Sequence, residues 1–231
     1  MAKDETEGTE GAAPAEHELT LRDGTHVEWE SWRLGKPTTA GSGKDAEIRT
    51  PIVREDAEVA VFTRRKGTAG QGHADSIEVP EGDGALASVA GSWELTADNQ
   101  RLEAQLPDGR VFTAAAKDRD KISRAKLLEV TFADSDSNAT QIWIECEGST
   151  NYVIEDNNDK LGQFTGANRG IRDAQVQYDT PAGRQLPLEQ KIYLQWVARR
   201  VLESRVSSAS LVMIIFLIFV VLYLAWVWFS G

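Results

Sequence analysis

Nineteen consecutive residues, Leu211 to Phe229 (LVMIIFLIFVVLYLAWVWF), are apolar, and no charged residue follows Arg205. A helix rises about 1.5 Å per residue, so this run measures about 28 Å, close to the hydrocarbon thickness of a bilayer. Lipid offers the backbone no hydrogen-bond partner, so a spanning segment has to be helical. Leu211 and Phe216 fall in its first third; Tyr223, Trp226, Trp228 and Phe229 gather at its far end, where amphipathic rings favour the headgroup layer. Arg199, Arg200 and Arg205 stand just before it as a juxtamembrane basic collar. The positive-inside bias then predicts a cytoplasmic N-terminal domain. Only Ser230 and Gly231 follow the run, which predicts a tail anchor inserted after synthesis. A buried core helix is the competing explanation, but a soluble core rarely needs nineteen apolar residues without a break.

The rest of the chain is polar and acidic. Against 25 Lys+Arg stand 36 Asp+Glu, for a net charge of -11. Such a chain repels phosphate backbones, which argues against nucleic acid as a partner. The one cysteine, Cys146, rules out an internal disulfide framework and suits a reducing compartment. Residues 1–17 are rich in Glu, Gly, Thr and Ala, carry no apolar run, and read as a disordered acidic tail rather than a secretory signal. The expected organisation is therefore a tail at 1–17, a β-rich domain at 18–183, a juxtamembrane helix at 184–205 and an anchor at 206–231.

Period-two patterning dominates the second of these. Leu19 and Leu21 face Val27 and Trp29 across Asp23-Gly24, a hairpin signature. Strands are expected at Ile48–Val53 and at Glu58–Arg64, where Val59 and Val61 alternate onto one face. A glycine-rich loop over 66–91 leaves room for a short strand at Ser76–Val79. Further strands are expected at Ser92–Thr96, Arg101–Leu106, Arg110–Ala114, Leu127–Phe132, Thr140–Glu147, Asn151–Glu155, Leu161–Thr165 and Ala174–Tyr178. A short helix is expected around Lys117–Leu128. Turn chemistry every eight to twelve residues points to a mainly β fold, an antiparallel barrel or sandwich. After Pro187 the period changes: Leu188, Ile192, Trp196 and Tyr193, Val197, Val201 recur at helical spacing. The resulting amphipathic helix, Leu188 to Arg205, is expected to pack on the sheet and run toward the membrane, with Trp196, Arg199, Arg200 and Arg205 at the headgroups or, as the competing reading, Ile192, Tyr193 and Trp196 packed in the core.

Motifs for catalysis are absent. His17, His26 and His73 lack metal-ligand spacing, and no GxSxG, HExxH, P-loop or GxGxxG pattern occurs. Cys146 lies between Glu145 and Glu147 on a predicted strand and reads as an inert thiol. Asp134, Asp136, Asn138 and Glu145 occupy positions 1, 3, 5 and 12 of a calcium-loop spacing, but Ala139 replaces its glycine and both flanks read as strands, so a polar hairpin turn explains them better. No cofactor or metal is expected. Asn138-Ala139-Thr140 matches a glycosylation sequon that a cytoplasmic domain does not use. Lys117, Arg119, Lys121, Arg124 and Lys126 form a basic cluster, suited to anionic lipid or to an acidic partner if it is more than a solvated face.

Tyr152-Val153-Ile154-Glu155-Asp156 followed by Lys160-Leu161-Gly162 resembles the hairpin unit of the tubby-like superfamily, which includes the phospholipid scramblase and LURP-one-related proteins. The stretch from Leu186-Pro187-Leu188-Glu189 into an apolar helix is similar to that group's barrel-filling C-terminal helix. The resemblance covers about residues 92–205. It implies a twelve-stranded barrel around a helix and a role at lipid surfaces, and it offers a rival position for Leu211–Phe229 as the filling helix. The leading expectation is a non-enzymatic, anchored protein whose cytoplasmic β domain binds a protein partner, in the manner of an accessory subunit of a membrane complex. A lipid-interacting module and a membrane-tethered enzyme are the alternatives.

Overall fold

A computed structural model describes residues 18–20, 26–42, 46–65, 75–82, 84, 86–133, 139–148, 150–166 and 174–230, with the backbone alone at 18–20, 26–27, 206–216, 222, 225, 227 and 229–230. The acidic tail, His17, His73 and the candidate calcium ligands at 134–138 lie outside the described residues.

The strands are β1 (Glu18–Thr20), β2 (His26–Glu28), β3 (Glu30–Leu34), β4 (Thr38–Ala40), β5 (Glu47–Arg54), β6 (Ala57–Arg65), β7 (Asp75–Val79), β8 (Gly91–Ala97), β9 (Arg101–Gln105), β10 (Val111–Ala116), β11 (Leu127–Ala133), β12 (Ala139–Cys146), β13 (Asn151–Asp156), β14 (Asp159–Thr165) and β15 (Gln175–Tyr178). The helices are α1 (Pro181–Arg184) and α2 (Leu188–Ser230). β1 and β2 form a separate hairpin, Leu19 opposite Val27. From β5 to β15 every strand pairs antiparallel with the next, and β3 joins β15 to β5. This closes a twelve-stranded antiparallel barrel, with β4 added outside on β5. Closure removes the unpaired edges that an open sheet of this size would expose.

Inward positions alternate as a pleated sheet requires: Trp93 and Leu95, Leu102 and Ala104, Phe112 and Ala114, Leu128, Val130 and Phe132, Ile142 and Ile144 are all buried. β6 departs from the expected pattern. A bulge opposite Ile52 and Val53 shifts its register, so Ala60 and Phe62 point inward while Val61 is only half-buried. Asn157 and Asn158, both at positive φ (49° and 73°), make the two-residue turn between β13 and β14. In place of the helix expected over Lys117–Leu128 there is one 3-10 turn, Ile122–Arg124. Its surroundings explain this: the Asp118 carboxylate accepts from the backbone N–H of Lys126 and Leu127, and Ile122 N–H is held by Asn99 O, which ties the segment down as a loop.

What fills the barrel is the first part of α2. Every residue from Ile192 to Ala198 is buried, with Val201 and Leu202 after them. A helix buried on all faces has no exposed surface to favour and belongs in an interior. Tyr193 donates to Leu102 O at 3.0 Å and Gln195 to Ala174 O at 2.6 Å, reaching different parts of the wall. The Tyr193 ring meets Phe112 and Phe132 edge-on. The segment expected to pack on the sheet as a juxtamembrane helix is thus the barrel's core. Leu211–Phe229 does not hold that place: Leu217, Ile218, Phe219, Leu224, Trp226 and Trp228 are exposed, from 52% to 84%.

Candidate functional site

The axis of the barrel has two ends, one where α2 enters and one where it leaves. At the exit, β6, β7 and α2 bring charges together. Glu203 receives Arg199 at 2.7 Å, Arg64 at 3.0 Å and Arg200 at 3.2 Å, and Arg64 also reaches Asp75 at 3.3 Å. Arg199 stacks over the Phe62 ring at 4.6 Å, an arrangement that suits a planar, weakly hydrated cation. Burial works to raise Glu203, but Arg199 and Arg64 outweigh it and hold the carboxyl below the ordinary range. Burial raises Asp75 above its ordinary value, and Arg64 only partly offsets this. Arg205 donates to Ala125 O at 2.6 Å and lies over the Tyr152 ring at 5.1 Å. The expected basic collar is therefore a set of partly buried, paired groups that line the exit: Arg199 is 13% exposed. Trp196 is inside the barrel, 1% exposed.

These pairings predict a pH effect with a definite sign. A carboxyl held low in the folded state contributes stability that is present above its ordinary value, near 4.5, and is lost as pH falls through the folded value. Asp75, held high, acts in the opposite direction. Glu203→Gln is accordingly expected to cost about 2–3 kcal/mol at neutral pH, less than a fully buried pair because Arg64 and Arg200 are about a quarter exposed. Asp75→Asn is expected to cost less than 1 kcal/mol, roughly the value of one exchanged hydrogen bond. Urea unfolding of the two variants at pH 7 and below pH 4 checks both, and the Glu203 difference has to shrink in acid.

Around the exit runs the β10–β11 loop, which carries the basic cluster. Lys117 pairs with Glu129 at 2.8 Å and Arg119 with Asp118 at 3.8 Å. Burial acts to raise Asp118, but the backbone donors of Leu127 and Lys126 outweigh it and hold this carboxyl low. Lys121, Arg124 and Lys126 are exposed and have no carboxylate partner among the described residues. Arg119, Asp120, Lys121 and Arg124 line an open recess of about 390 Å³. Cys146, at the end of β12 on the same rim, is half-buried and its thiol donates to Gly148 O.

Nothing in the sequence announced the arrangement at the entry end. Lys191, on the first turn of α2, donates to both carboxylate oxygens of Glu30 (2.8 and 3.1 Å) and to Arg184 O at 2.7 Å; both side chains are almost fully buried. Trp32 Nε1 donates to the same carboxylate at 2.6 Å and Arg54 lies 3.2 Å from it. Burial pulls Lys191 below its ordinary value although Glu30 opposes this. Glu30 and Lys191 are 161 positions apart, so no spacing rule connects them. They border a recess of about 480 Å³ walled by Trp32, Leu86, Leu186 and Leu188. Each charge there is already bonded to another, as a structural lock between β3 and α2.

Among the described residues no group of three or more His, Cys, Asp or Glu is placed to hold a metal ion, and no helix is long and apolar enough to cross a membrane. Side chains 206–216 of α2 fall outside that set. No family model, curated protein or solved structure matches the chain.

Proposed function

We propose that the chain is a single-pass membrane protein, anchored by the distal part of α2, whose barrel faces the cytoplasm as a non-enzymatic binding module for a protein partner, in the manner of an accessory subunit. The observation that carries this reading is the fate of α2 outside the barrel. It continues as helix to Ser230, and Leu217, Ile218, Phe219, Leu224, Trp226 and Trp228 are exposed on it, within a sequence run of nineteen apolar residues. Burying a side chain of that size contributes about 1.5–3 kcal/mol, so a bare helix of this kind is stable only when lipid or protein covers it. Leu211, Phe216, Tyr223, Trp226 and Trp228 are the anchor residues in this reading. Anchoring concentrates the barrel at one surface and so raises partner association without any new contact.

Alkaline carbonate extraction of membranes tests the anchor: the full-length chain is expected in the pellet, and release into the supernatant sinks the proposal. Affinity purification in mild detergent tests the partner, where a preparation with no co-purifying protein counts against the accessory-subunit role.

A second reading, a lipid-interacting module of the tubby-like kind, is favoured by two observations. The barrel closes around a helix, and the basic loop borders the point where that helix leaves.

A further inference from the structure

No linker separates the barrel from the apolar run. Leu202 is buried, Glu203 and Arg205 are bonded to Arg64 and Ala125 of the barrel, and helix continues through 206–210 to Leu211. Six residues of helix cover about 9 Å. The polar layer on each side of a bilayer's hydrocarbon core is roughly 5–8 Å thick. With the run in hydrocarbon, the rim around the exit comes within reach of the headgroups, and its charge decides whether it settles on them. That rim carries the exposed Lys121, Arg124 and Lys126. The opposite end presents Glu55, Asp56, Glu81, Asp108 and Asp159, all exposed. Exposed Asp98, Asp118, Asp120 and Glu147 also lie at the exit end, but within the β10–β11 loop the five cations outnumber Asp118 and Asp120, so this loop is the positive feature nearest the anchor.

We propose that the barrel docks end-on against an anionic phospholipid surface, the membrane that holds α2, through Lys121, Arg124 and Lys126, leaving the acidic end and its recess turned away from the bilayer. This rests on the anchor reading. Each basic side chain near an anionic surface strengthens association roughly fivefold, so three act together to hold the barrel upright.

The test uses the full-length chain in vesicles of equal parts phosphatidylcholine and phosphatidylglycerol. Cys146→Ser keeps the bond to Gly148 O and removes the sole cysteine. On that background a fluorophore is attached to one of three new cysteines: Asp120→Cys on the rim, Asp159→Cys at the far turn, or Leu224→Cys in the anchor. Spin-labelled headgroups are expected to quench the label at 120 several-fold more than at 159, and spin-labelled acyl chains to quench the label at 224. Reversal of Lys121, Arg124 and Lys126 to glutamate is expected to remove most of the quenching at 120 while leaving that at 224. Equal quenching at 120 and 159, or quenching at 120 that survives charge reversal, overturns end-on docking and leaves the anchor standing. A label at 224 that acyl-chain probes do not quench overturns the anchor and this proposal with it.

Discussion

Trp196→Ala is expected to destabilise the barrel by about 3–5 kcal/mol and to lower its melting temperature by on the order of 10 °C. The indole is 1% exposed in the middle of α2's buried segment and packs at 5.7 Å from Tyr193, which itself meets Phe112 and Phe132. Alanine leaves a hole enclosed by helix and closed sheet, and a closed barrel collapses onto such a hole less readily than an open one. Trp196→Phe is expected to cost much less, about 1–2 kcal/mol, because the indole Nε1 has no hydrogen-bond partner among the described residues to lose. Trp226→Ala, on the exposed part of the same helix, is expected to leave barrel stability unchanged. Near-ultraviolet dichroism of the three variants in one detergent measures all of this. A Trp196 that tolerates alanine would mean that the ring sits at the surface and the helix does not fill the barrel.

Much of the strand layout is legible because period two survives wherever one face is buried. Leu128 to Phe132 shows this, since Leu128, Val130 and Phe132 are buried and Glu129 and Thr131 between them are not; in Asn151–Glu155 the pattern is weaker, because Val153 is buried along with Tyr152 and Ile154. The pattern misleads at β6, where two valines two apart suggest a face but the bulge hands the interior to Ala60 and Phe62. An extra residue in a ladder leaves no mark on hydrophobic spacing. Helical spacing after Pro187 is equally plain in the sequence. Its place inside the barrel is hidden by Lys191, Gln195, Arg199 and Glu203, which interrupt the apolar positions and suggest a solvent-facing stripe. Each of these meets something distant in sequence: Lys191 meets Glu30, Gln195 donates to Ala174 O, Arg199 lies over the Phe62 ring and Glu203 accepts from Arg64. Polar residues in a core are readable only once their partners are known.

The site is legible to a similar depth. That Lys117 to Lys126 is basic follows from composition. That it borders the exit of α2 follows from Arg205 reaching Ala125 O, across 80 positions. Composition likewise overstated the collar: of Arg199, Arg200 and Arg205, the first is committed to Glu203 and Phe62, the second to Glu203 and the third to the β10–β11 loop. Arg65 of β6 is exposed there but pairs with Glu47, while Lys121, Arg124 and Lys126 come from the loop, so much of the outward-facing charge is displaced from the helix to its rim.

Gly183→Val is the substitution expected to do most damage outside the core, at about 3 kcal/mol or more, the upper end for overpacking. A Cβ at this position would stand 1.7 Å from Leu161 O, a backbone atom in β14 that cannot move without breaking the ladder. The same carbonyl accepts from Thr180 Oγ1, which in turn caps α1 by accepting from Gly183 N–H. Pushing α1 away therefore loses the cap and the contact together. It also displaces Arg184, whose carbonyl is one of the three acceptors of buried Lys191, so the strain passes to the Glu30 lock at the helix entry. Gly148→Ala, where the nearest atom would be 3.9 Å away, is expected to stay within about 0.5 kcal/mol of the parent. Urea unfolding separates the two, and equal midpoints would show that α1 does not seat against β14.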